Sequence, residues 1–387
     1  MLKNKKIYII TAVIILITAF LSKTCKINLT RPETEKRAVF ISYLEYLKYF
    51  QNKNEQEIKK EIDKMINTIN DYNLNMILLQ VRPFSDAIYP SKIYPISYTI
   101  SEEEKINFDI LEYFINETHE NNIELHAWIN PYRISNKTDL NSISKNNPSQ
   151  KWIGTSKVKI IEGKGIYYNP ASSEVVSLII DGIKEIIENY DVDGIHFDDY
   201  FYPDPTIDIE EYKEFENTIS ITDFHFSKTN EMIKKVYQTI KKENSNIKFG
   251  ISPDGNIKNN YDTHYADIKT WLKEDGYIDY IMPQIYYGFY HETKPFIKTV
   301  NEWHSYIEND VEIIPALALY KAGNKDTYAK NGSEEWIKNS DIIKKEIKVL
   351  RSTPNNNGFS IFRYDFLVSN TDNKNLIEER NSLKEML

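Results

Sequence analysis

Two adjacent carboxylates, Asp198 and Asp199, close the segment Val192-Asp193-Gly194-Ile195-His196-Phe197-Asp198-Asp199-Tyr200. A carboxyl pair can do acid–base work: one group gives a proton and the other handles the positive charge that develops as a bond breaks. Ile195 and Phe197 alternate with His196 and Asp198, the period of a strand with two different faces. Pro203 and Pro205 end any continuation. A strand that delivers carboxylates at its C-terminal end matches the way a β/α-barrel builds its active-site mouth. The plainer role for an Asp-Asp pair is a helix N-cap or a surface turn.

Other polar side chains fall at the ends of strand-like segments. Gln80 and Arg82 occur in Leu79-Gln80-Val81-Arg82-Pro83, and His126, Trp128 and Asn130 precede Pro131-Tyr132-Arg133. Ser252 and Asp254 follow Gly250-Ile251, and Gln284, Tyr286 and Tyr287 follow Met282-Pro283. Taken singly, each reads as a satisfied core residue. Their shared position is the stronger signal, because a structural barrel has little reason to collect polar groups at one mouth. His126, His196, Asp198 and Asp199 are the one set that would meet around an ion. No zinc-type spacing, phosphate loop or serine nucleophile elbow accompanies them, so neither metal nor cofactor is expected.

The elements that must position these residues alternate along the chain. Strands are predicted over Ala38 to Tyr43, Met76 to Val81, Ile123 to Trp128, Gly194 to Asp198, Lys248 to Ser252, Tyr280 to Tyr286, Glu312 to Leu317 and Gly358 to Tyr364. Between them run helical stripes such as Ile58, Ile62, Met65, Ile66 and Ile69, or Val176, Ile179, Ile180, Ile183 and Ile187. Eight strands alternating with helices predict a (β/α)8 TIM barrel. The alternative, a doubly wound open sheet, would carry a glycine-rich first crossover, and none follows Tyr43. Two connections are long, 131–172 and 200–223. Both leave C-terminal strand ends, and the first reads as a lid or cleft wall.

The chain of 387 residues fits one such barrel with insertions, and its net charge of −9 argues against nucleic acid. Residues 1–25 read as an export signal or N-terminal anchor: Lys3, Lys5 and Lys6 precede an apolar run from Ile7 to Leu21. Fifteen apolar residues are short for a membrane span. Cys25, the single cysteine, follows Ser22-Lys23-Thr24, which departs from a lipidation pattern. Residues 26–36 read as a linker and 37–387 as the barrel domain, expected outside the cytoplasmic membrane.

Six motifs, in order, carry a family resemblance: Arg37-Ala38-Val39-Phe40-Ile41, Leu79 to Pro83, Leu125 to Arg133, Asp193 to Tyr200, Phe249 to Pro253 and Pro283 to Tyr286. Together they resemble the glycosyl-hydrolase-like 10 family, formerly a domain of unknown function, over roughly Arg37 to Tyr364. The resemblance implies an exported bacterial barrel glycosidase, and some relatives look like enzymes that cut peptidoglycan glycan strands stripped of their peptides. Asp198 and Asp199 are the expected catalytic pair, with Glu45 and Asp254 as reserve carboxylates. Gln80, Arg82, His126, Asn130, His196, Ser252 and Gln284 are expected to bind hydroxyl, acetamido or carboxylate groups. Trp128, Tyr200, Tyr286 and Tyr287 are expected to stack on sugar rings. The expected partner is a polysaccharide containing N-acetylhexosamine, with membrane contact only through the N-terminal segment. Two alternatives stand beside this one: a barrel that binds wall glycan without cutting it, and an amylase-like hydrolase of neutral glucans.

Overall fold

The computed structural model describes residues 35–387 apart from Glu104 and Tyr200. The apolar N-terminal run, Cys25 and Tyr200 therefore lie outside the described residues. Each of the eight expected strands is present: β1 Lys36–Ile41, β2 Met76–Arg82, β3 Glu124–Ile129, β4 Gly194–Phe197, β5 Lys248–Ile251, β6 Tyr280–Ile281, β7 in two halves, Glu312–Ile313 and Ala316–Leu317, and β8 Gly358–Ile361. All neighbours pair in parallel, and β8 returns to β1 with Gly358 opposite Lys36. The first half of β7 pairs with β6 and the second half with β8. Pro315, which has no N–H to give, sits between the halves. Nine hydrogen-bonded segments thus fill eight positions of a closed TIM barrel.

Alternation sorts each strand's residues. Phe40, Met76, Leu78, Trp128, Tyr280 and Met282 pack inside the barrel. Val39, Ile77, Leu79, Leu125, Ile195 and Phe249 belong to the larger core under the helices. The helix Glu55–Asp71 buries Ile58, Ile62, Met65, Ile66 and Ile69 in that core, and Asn54 and Glu57 close its N-terminus as a capping box. Each such side chain contributes about 1.5–3 kcal/mol by leaving water. The connection 131–172 folds into a small antiparallel sheet of Arg133–Ser135, Val158–Ile161 and Gly165–Tyr168. Gly165 has φ +130°, and a side chain there would overlap the Ser135 carbonyl. The connection 200–223 carries one short helix, Ile209–Tyr212.

One part of the helical shell is polar and buried. The helix Ile342–Ser352 has no side-chain cap of its own. Glu379, from the last helix, Lys374–Met386, supplies one by accepting the N–H groups of Ile342 at 2.6 Å and Ile343 at 3.2 Å. Glu346 lies on the same helix, fully buried, and neither of its carboxyl oxygens has a hydrogen-bond partner among the described residues. Burial, with Glu379 and Glu335 nearby, pushes the Glu346 carboxyl well above the ordinary range, and Glu379 is raised by burial to about 7.

Candidate active site

The mouth at the C-terminal ends of the strands is a cavity of about 230 Å³, lined by Ser42, Gln80, Trp128, Asp198, Asp199, Ser252, Gln284 and Tyr286, with Phe40, Tyr43, Leu44, Arg133 and Phe362 completing the wall. Asp198 follows β4 on the inner face and is 3% exposed. Its Oδ2 accepts the Trp128 indole N–H at 3.2 Å and the Asn130 amide at 3.0 Å. Asn130 is itself oriented, because its Oδ1 accepts the backbone N–H groups of Tyr132 and Arg133, which turns Nδ2 towards Asp198. Donors on one oxygen favour the ionised form and hold it in a single orientation.

Asp199 sits beside it under a different regime. Burial raises its pKa, and the negative Asp254 adds to the rise, while His264 and a hydrogen bond from Gln284 pull it down. Gln284 also donates to the Ser252 carbonyl at 2.9 Å, which ties β5 to β6 at the mouth. Two adjacent carboxyls therefore sit in unlike surroundings, Asp198 under two donors and Asp199 biased towards its protonated form.

Below the mouth a polar chain runs along the barrel interior. Ser252 Oγ lies 2.9 Å from His196 Nε2, His196 Nδ1 lies 3.0 Å from the Tyr280 hydroxyl, and that hydroxyl lies 2.8 Å from His126 Nδ1. Burial, and then the neighbouring His126, lowers the His196 pKa well below its usual value, so the ring is neutral. The rings fit because the facing positions are glycines: a side chain on Gly194 would overlap His126, and one on Gly250 would overlap Tyr280.

Several expected site residues lie elsewhere. His126 is beneath Trp128 and His196 is fully buried, so both support the mouth from below and do not line it. The expectation that Arg82 binds substrate is corrected: the ladder of β2 shifts between Gln80 and Arg82, and this bulge takes Arg82 off the inner face. Its guanidinium lies 3.9 Å over the Tyr94 ring, in a notch left by Gly182 of the helix Ser173–Asn189. Glu45 is no spare acid either. It accepts the Ser42 N–H and Oγ–H through one oxygen and pairs with Arg363 through the other. Asp254 accepts from the Asn256 N–H at 2.7 Å and hydrogen-bonds Tyr287, which does not line the mouth. Sequence reasoning missed Arg133, Tyr43 and Phe362 as wall residues. Arg133 stood in a quoted motif, and its guanidinium lies 4.6 Å over Phe84 and 5.6 Å over Tyr43. No group of His, Cys, Asp and Glu among the described residues is placed to hold a metal ion.

Comparison with known proteins identifies the family and the fold. A family model described as Glycosyl hydrolase-like 10 matches residues 35–336. The chain is 32% identical over 337 residues to Glycosyl hydrolase YngK of Bacillus subtilis, a match covering 79% of this chain and 65% of that protein, a little under two thirds of the relative's length. It is 30% identical over 342 residues to Glycosyl hydrolase DigH of Escherichia coli, covering 79% and 75%. Among solved structures, the glycoside hydrolase domain of PgaB (BpsB) from Bordetella bronchiseptica superposes with a TM-score of 0.59 at 11% identity, over 91% of this chain and 98% of that domain. At that identity the likeness concerns the fold.

Proposed function

The chain belongs to the glycosyl hydrolase-like 10 family, and from that premise we propose that it hydrolyses glycosidic bonds in an N-acetylhexosamine-containing polysaccharide of the bacterial wall, such as peptidoglycan. The observation that carries this proposal is the unlike pair Asp198 and Asp199 in one mouth walled by Trp128, Tyr286 and Phe362. In this mechanism Asp199 gives its proton to the leaving glycosidic oxygen as the bond to the anomeric carbon breaks. The substrate's acetamido oxygen closes on that carbon, and the Asp198 carboxylate accepts the acetamido N–H and balances the charge on the ring. A water then opens the cyclic intermediate and returns its proton to Asp199. The donors on Asp198 and the raised pKa of Asp199 support this division of roles.

The test compares N-acetylated with N-deacetylated glycan strands, with products read by mass spectrometry, and adds a thiazoline inhibitor that mimics the cyclic intermediate. Cleavage confined to the acetylated strand, with inhibition, is expected. Equal cleavage of both without inhibition removes the substrate-assisted route, and no cleavage of any glycan favours a binding barrel. We further propose that the barrel works outside the cytoplasmic membrane, on the strength of the basic residues and apolar run near the N-terminus. Among the described residues no helix is long and apolar enough to cross a membrane. Protease added to intact protoplasts should digest the barrel. Full protection until lysis rules export out.

A further inference from the structure

A second cleft lies beside the mouth. It measures about 610 Å³ and is walled by the connections after β2 and β3, among them Phe84, Asp86, Tyr98, Ile134, Asn136 and Lys137. Its volume is that of a ligand site, not of a packing defect. One layer of side chains separates it from the mouth. Tyr43 and Arg133 line the mouth. Phe84 lines the cleft and meets Tyr43 edge-on at 4.8 Å, with the Arg133 guanidinium over its face. Tyr98 follows at 5.6 Å from Phe84 and is 36% exposed, the open end of an aromatic row that begins in the mouth. The floor is polar and built: Asp86 is 5% exposed and accepts the Phe84 N–H at 3.1 Å, and Asn147, also 5% exposed, donates to the Ser85 carbonyl at 2.9 Å. An aromatic face next to fixed polar groups is the surface that a sugar ring, apolar on one side and hydroxylated at its rim, would meet well.

We propose that this cleft binds the sugar units that continue the glycan beyond the cleaved bond, with Tyr98 as their stacking platform, so that the protein favours long chains over short ones. This rests on the glycosidase reading of the mouth, which the glycan must enter. Proximity to the mouth names the occupant: Phe84, buried between Tyr43 and Tyr98, is the shared wall, and a chain that leaves the mouth across it meets Tyr98 next.

The test uses N-acetylglucosamine oligomers from disaccharide to hexasaccharide and measures binding by calorimetry on Asp199→Asn, which separates binding from cleavage. The hexasaccharide should bind more tightly than the disaccharide. Tyr98→Ala should reduce that ratio about tenfold, the size of one aromatic stacking contact, and Tyr98→Phe should preserve it. If the ratio is unchanged in Tyr98→Ala, or if length has no effect on affinity, the cleft assignment is overturned even where the wild type cuts glycan. If the ratio falls as expected and the wild type cuts nothing, the cleft stands and the glycosidase reading fails.

Discussion

Asp198 and Glu346 are both carboxyl groups almost wholly removed from water, and the protein treats them in opposite ways. Asp198, at the mouth, receives an indole N–H and an amide N–H on one oxygen. Glu346, in the helical shell, receives no hydrogen bond from the described residues. A buried carboxylate with donors can stay ionised and directed, whereas one without donors must keep its proton or unfold its surroundings. Burial alone therefore does not mark a functional acid. The marker is burial together with donors held by residues that are themselves oriented, as Asn130 is by the Tyr132 and Arg133 backbone.

The sharpest way to break this contrast is to substitute a carboxyl group at each place. Asp198→Asn and Asp199→Asn should each lower turnover by about 10²–10⁴-fold with little change in melting temperature. Steady-state rates beside thermal unfolding would show it, and near-normal rates in both variants would end the active-site assignment. In the shell the effect should fall on stability and depend on pH. Burial raises the Glu379 pKa in the folded protein from an ordinary 4.5 to about 7. Its contribution is full below the lower value, declines as pH rises between the two and is spent above about 7. The loss is on the order of 3 kcal/mol. Urea unfolding at acid and mildly alkaline pH should show it, and Glu379→Gln should remove the Glu379 share of the dependence, leaving that of Glu346, without touching turnover.

Smaller effects refine the mouth. Trp128→Phe keeps an aromatic wall and removes one donor from Asp198, so turnover should fall about 10–100-fold, as expected for a hydrogen bond to a charged group. Rates equal to wild type would mean that the indole N–H does not orient Asp198. Smallest of all, Asp254→Asn removes a negative neighbour that raises the Asp199 pKa. The alkaline limb of the rate profile should then move to lower pH. A limb that stays in place would assign it to another group.

The barrel was legible because period-2 strands and 3.6-period helices alternate without a break, and inward and outward side chains follow from the first period. That period gives the face of a residue and says nothing of its height along the barrel axis. His126 and Trp128 share a face, yet only Trp128 reaches the mouth. Bulges are equally silent: Arg82 has the parity of an inward residue, and the slip after Gln80 turns it out. Glu45 is a different case, because Ser42 and Glu45 have the spacing of a capping box, a readable sign that the carboxylate was already engaged. Arg133, Tyr43 and Phe362 converge from three connections, and no local pattern in the chain records that meeting.

The polar chain inside the barrel has a direction. Ser252 Oγ lies 3.4 Å from the Phe197 carbonyl, to which it can only donate. His196 is neutral, so if Nε2 gives its hydrogen to Ser252, Nδ1 must receive the Tyr280 hydrogen, and the Tyr280 oxygen must receive one from His126. That leaves His126 Nε2 a lone pair 3.8 Å from the Glu124 carboxylate, so the reverse arrangement, with a hydrogen on that nitrogen, suits Glu124 better. Turning any one of these hydrogens obliges all the others to turn, because each link has one donor and one acceptor to offer. The interior thus holds two proton arrangements on one set of heavy atoms, with opposite dipoles along the axis. Which of them is present decides whether the Ser252 hydrogen is held by His196 or left for the Phe197 carbonyl and the mouth.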